Sequence, residues 1–90
     1  MNQDNRAIKL YIKNLAPLIA EELIDNYRIP SPHREVLLTA CVARKEGYAG
    51  CDYLEKTYHI SLGYWTFGRR LKEGLEMFRK SRAACVGGCQ

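Results

Sequence analysis

A small all-α bundle of four or five helices is the fold class this sequence predicts, on three observations. Apolar residues return at steps of three and four through most of the chain, the repeat of one helix face. The runs are separated by RIPSP (residues 28–32), GYAG (residues 47–50) and HIS (residues 59–61), whose Pro, Gly and Ser break or cap helices. Ninety residues, 47% of them hydrophobic, suffice for one modest core but not for a large pocket on a separate scaffold. A single helical domain is expected over residues 1–82. The remainder, AACVGGCQ (residues 83–90), loses the periodicity and reads as a flexible tail.

The first helical unit spans about residues 4–27. Its apolar positions run Ile8, Ile12, Leu15, Ile19 and Leu23, one face of a helix. Pro17 interrupts: it removes a hydrogen bond and crowds the preceding turn, so the unit is bent or broken there. After RIPSP a helix over about 32–46 is expected, with Ser31 as its cap and Pro32 in its first turn. Val36, Leu37, Ala40 and Cys41 form its inner face, Leu38 and Val42 widen the arc, and Arg44 closes it at the rim. Gly47 can end that helix in the left-handed conformation. A short helix over about 51–58 follows. Leu54 and Tyr58 point inward, and Asp52 lies near the positive end of the dipole.

Ser61 is a second cap, opening a last helix over about 62–81. Tyr64, Phe67, Leu71, Leu75 and Phe78 are spaced three, four, four and three apart, a continuous core stripe. Gly74 sits beside it, where a neighbouring backbone can come close. Thr66, Arg69, Arg70 and Glu73 face away. Trp65 lies at the border, in line with Arg69, Lys72 and Glu76. A border tryptophan most often caps the core edge. The other readings are a stack on a sugar or base, or a contact with a protein.

Charge is unevenly placed. Residues 1–60 carry eight Lys/Arg and eight Asp/Glu, whereas residues 61–90 carry six Lys/Arg and two Glu. The net charge of +4 thus belongs to the last third, which suits a polyanionic partner, although a solvated amphipathic helix needs none. Cys41, Cys51, Cys85 and Cys89 show no Cys-x-x-Cys spacing, so reduced thiols are expected rather than a zinc site, and no cofactor is implied. MNQDNRAIKL (residues 1–10) has no basic start and no apolar run. With no stretch long enough to cross a bilayer, a cytoplasmic address is expected. His33 and His59 are isolated, and no phosphate loop, HExxH or paired carboxylates are present, so catalysis is not expected.

A short helix, a tight turn and a longer helix with outward Thr and Arg form a helix-turn-helix pattern, whose second helix enters the major groove. Arg69 or Arg70 would pair with guanine while the other takes a phosphate.

LEKTYHIS (residues 54–61), an aromatic pair and then RRLKEGLEMF (residues 69–78) resemble the C-terminal helix-turn-helix of small phage transcriptional regulators of the ArpU and RinA type. Those in turn resemble region four of bacterial sigma factors, and HREVLLTACV (residues 33–42) is similar to the helix preceding the motif there. The resemblance covers about residues 32–80. It implies a sequence-specific transcription regulator bound to double-stranded DNA. Ser61 would open the turn, Trp65, Thr66, Arg69 and Arg70 would sit on the reading helix, and Lys72 would lie beside the DNA backbone. Three departures stand out. Glu55 replaces the usual small residue, His59 stands where Gly or Asn takes the left-handed conformation, and SLGYWTF (residues 61–67) exceeds the family spacing.

Region-four-like domains can also contact RNA polymerase, so a protein-interaction module that never touches DNA is the alternative. One such motif alone would bind DNA weakly. A homodimer through residues 4–27 is therefore the expected assembly.

Overall fold

The computed structural model describes the backbone of residues 3–88 and the side chains of residues 4–84. It holds five helices and, among the described residues, no strand. They are α1 (Gln3–Lys13), α2 (Pro17–Asn26), α3 (His33–Leu37), α4 (Gly47–Tyr58) and α5 (Tyr64–Gly88), with a π-helical turn (Leu38–Val42) continuing α3. Among the described residues, no helix is long and apolar enough to cross a membrane.

α1 buries Asn5, Ile8 and Ile12, spaced as one helix face. It ends because Pro17 has no N–H and forces Ala16 into an extended conformation (φ −58°, ψ 141°). Pro17 then serves as the first residue of α2, where its missing donor costs nothing. The break also turns the chain about its axis. In α2 the buried positions are Ala20 and Ile24, while Ile19, expected in the core, is 56% exposed. A periodicity counted across the break is out of register on its far side.

Ser31 does not cap α3. Pro32 occupies the capping position without a side-chain bond, and the carbonyls of Pro30 and Pro32 accept from Arg34 and Val36 N–H at 3.0 Å. The helix then widens: Ala43 N–H donates to Leu38 O, five residues back, and Lys45 N–H to Thr39 O. From Val36 to Cys41 every residue is buried, because α1, α2, α4 and α5 all pack around this segment. The helix stops at Val42 rather than near 46. Arg44 takes the left-handed conformation (φ 61°) expected of Gly47, and its guanidinium donates to Lys13 O at 2.7 Å. Gly47 is left-handed too (φ 63°), but it opens α4 instead of closing α3. α4 therefore begins four residues earlier than its expected start at Cys51.

α5 lies against α1, α3 and α4. Phe67, Leu71, Leu75 and Phe78 are buried as their spacing requires, and Gly74 is buried beside them. Leu54 joins this core from α4, and Tyr58 packs at its edge. The helix begins at Tyr64, two residues later than expected, so Ser61 lies in the preceding turn and not at the capping position. It also carries on to Gly88 where a tail was expected, Ala83 and Ala84 being good helix formers. Residues 89 and 90 lie outside the described chain.

Candidate nucleic-acid interface

α4, the turn 59–63 and the start of α5 form the helix-turn-helix region. His59 ends α4 in the left-handed conformation (φ 59°, ψ 34°), and its N–H donates to Glu55 O at 2.9 Å. It thus fills the conformational role of Gly or Asn despite its side chain. The small residue where α4 meets α5 is Gly50, not position 55. A Cβ on Gly50 would lie 2.7 Å from Phe67 Cζ and 2.8 Å from Lys45 O, so only glycine fits. Glu55 is exposed.

The residues expected to read DNA divide into two helical rows. Trp65, Arg69 and Lys72 form the first, at steps of four and three, and all are exposed. Trp65 does not cap the core edge; it is 81% exposed. Thr66 and Arg70 belong to the second row, with Glu73, and are half-buried. Arg70 Nη1 donates to Glu73 Oε1 at 2.8 Å, and His33 Nε2 on α3 meets the same oxygen at 2.8 Å. These partners, His33 first and Arg70 second, hold the Glu73 carboxyl below the ordinary range. Arg70 is thereby paired within its own helix, whereas Arg69 is exposed. Ser61 is exposed in the turn, apart from both rows.

The first turn of α5 adds aromatic surface that the spacing did not reveal. Tyr64, expected in the core, is 42% exposed. As the first helical residue it reaches past the packed stripe, and its ring rests on that of Tyr48 on α4, centroids 4.7 Å apart. The rings of Trp65 and Tyr64 are nearly perpendicular, with centroids 5.1 Å apart and 83° between planes. Beside the pair is an open depression of about 210 Å³ lined by Glu46, Gly47, Tyr64, Trp65, Phe67, Gly68 and Leu71. That is below the roughly 300–1,000 Å³ of ordinary small-molecule pockets. Glu46 is engaged by Lys9 Nζ at 3.0 Å and Lys13 Nζ at 3.5 Å, which pins α1 beside this end of the molecule.

Among the described residues no group of three or more His, Cys, Asp or Glu is placed to hold a metal ion. Cys41 and Cys51 are free thiols. The side chains of Cys85 and Cys89 lie outside the described residues. No protein-family model, curated protein or solved structure matches the chain.

Proposed function

We propose that the protein is a DNA-binding transcription regulator, with α5 as its reading helix. The observation that carries this is the row Trp65, Arg69 and Lys72 on the outward face at the start of α5. It stands on a helix held across a turn by the close crossing at Gly50. Arg69 and Lys72 supply phosphate or base-edge contacts, and Thr66 and Ser61 lie near enough in sequence to flank them. The resemblance to small phage regulators agrees with this reading and suggests a phage or prophage setting. Dimerisation through α1 and α2 suits it as well, because Leu10, Leu18 and Ile19 are exposed apolar residues on those two helices.

A second reading draws on a different observation. Tyr48, Tyr64 and Trp65 are all exposed, and such aromatics anchor protein interfaces. A helical module docking on RNA polymerase or another regulatory protein would use them without touching DNA. Titration of random-sequence duplex at two salt concentrations separates the two. Binding that weakens steeply with salt supports DNA, through release of counterions from phosphates. No binding to duplex at low salt rejects it in favour of the protein contact.

A further inference from the structure

We infer that the corner formed by Tyr64 and Trp65 takes an unstacked nucleobase, so that the protein favours DNA whose strands are locally unpaired. This rests on the DNA reading above and names the form of DNA that the same end of α5 would hold. Two rings set at 83° make a corner that receives one flat ring, face against one wall and edge against the other. Trp65 is 81% exposed, leaving its indole free for such a stack, and Tyr64 is supported by the ring of Tyr48 at 4.7 Å. Gly68, one turn along the same side, has nothing within 4 Å of where its Cβ would be. Glycine weakens a helix interior, and no neighbour within the chain requires it at this position. Gly68 is one of the residues that line the depression beside Trp65.

Charge selects the occupant. Arg69 follows Trp65 by one turn, about 6 Å along the axis, and Lys72 by a further turn. Both are exposed. Aromatic platforms flanked by cations that follow the backbone are how proteins hold single strands, since every base has a π face. An apolar helix docking here would leave Arg69 and Lys72 without partners at its edge. A paired duplex keeps its bases stacked and gives the corner nothing flat to hold.

Trp65 is the only tryptophan in the sequence, so its fluorescence reports the site directly. The full chain would be titrated with a duplex carrying a central run of mismatches, the same duplex fully paired, and the single strand as DNA and as RNA. The inference expects quenching of Trp65 by the mismatched duplex and the DNA strand, and tighter binding of both than of the paired duplex. By anisotropy, Trp65→Ala should reduce that preference by about five- to 150-fold, the range for one lost stack, and Trp65→Phe should keep most of it. Equal affinity for mismatched and paired duplex, without quenching, overturns the inference and leaves the DNA reading standing. Binding to no DNA overturns both. Tighter binding of the RNA strand than of the DNA strand overturns the assignment to DNA.

Discussion

Leu37 Cγ lies 3.1 Å from the point where a Cβ on Gly74 would sit, so α3 meets α5 at a place where a methyl group fits only if Leu37 gives way by a few tenths of an ångström. Leu37 is itself wholly buried and cannot swing aside without disturbing its own neighbours. Alanine at 74 would gain about 1 kcal/mol of helix propensity. It would also incur an overpacking cost of about 1–3 kcal/mol. Gly74→Ala is therefore expected to be neutral or destabilising. Gly68→Ala, in open space on the same helix, should stabilise by about 1 kcal/mol. Denaturant unfolding of the two variants makes the comparison. Equal stabilisation by both would show that Leu37 has freedom to move.

Two isoleucines of α2 should respond very differently to truncation. Ile24→Ala removes a fully buried side chain and should cost about 2–5 kcal/mol, whereas Ile19→Ala, more than half exposed, should cost well under 1 kcal/mol. A large loss at Ile19 with little at Ile24 would mean that α2 is rotated from the placement described.

This contrast shows what the sequence could and could not reveal. The row Phe67, Leu71, Leu75 and Phe78 was legible because one unbroken helix carries it and the period never slips. Ile19 was misplaced because the three residues between α1 and α2 reset the helical phase, and a step count does not register that rotation. The π turn has no pattern of its own, since a segment packed on all sides is apolar all round whatever its helical pitch. Tyr64 fits the stripe by spacing, but a first-turn residue can extend beyond the elements that would cover it. The Arg70–Glu73 pair is local, three residues apart, but the His33 contact that joins it comes from forty residues away and leaves no mark on the helical spacing. The left-handed turn was legible at His59 from its place in the motif, while Gly50 was hidden in a segment read as a helix end.

Burial pushes the Cys41 thiol up to about 12 from 9.0. The neutral thiol is thus favoured in the folded state. Its contribution is intact below pH 9.0 and is lost as pH rises toward about 12, because the unfolded thiol ionises first. Over that window the stability of the parent should fall more steeply than that of Cys41→Ala, by about 1.4 kcal/mol per pH unit. Parallel alkaline curves would contradict the burial of this thiol. With Cys51, Cys85 and Cys89 replaced by Ser, Cys41 should also resist thiol reagents until the protein unfolds.

The Glu73 carboxyl is held below its ordinary value of 4.5 by His33 and Arg70, and the sign of its effect is opposite. Its stabilisation is present above 4.5 and disappears as pH falls through the lower folded value. Glu73→Gln should flatten the acid limb of the stability curve and leave the alkaline limb unchanged. Because Glu73 is partly exposed, the difference should be small, and it should shrink further in high salt. An acid limb identical to that of the parent would mean that the His33–Glu73–Arg70 contact is not maintained in solution.

Arg69 and Arg70 are adjacent in sequence but differ in what they can give to a polyanion. Arg69 is exposed, while Arg70 is held by Glu73 at 2.8 Å. On the DNA reading, Arg69→Ala and Lys72→Ala should each weaken binding. A residue that meets phosphate should do so for all sequences and flatten the salt slope by about one, while a base contact should cost about 1–3 kcal/mol and relax specificity at one position. Arg70→Ala/Glu73→Ala should leave the salt slope nearly unchanged, because the pair it removes carries no net charge. Arg70→Ala should instead free Glu73 to repel phosphates, an effect that Arg70→Ala/Glu73→Ala would reverse. Thermal unfolding of Arg69→Ala and Lys72→Ala should match that of the parent, since neither side chain is in the core. If Arg70→Ala/Glu73→Ala weakens binding and flattens the slope as strongly as Arg69→Ala does, the reading face of α5 runs through Thr66, Arg70 and Glu73, and the row from Trp65 is not the one that meets DNA.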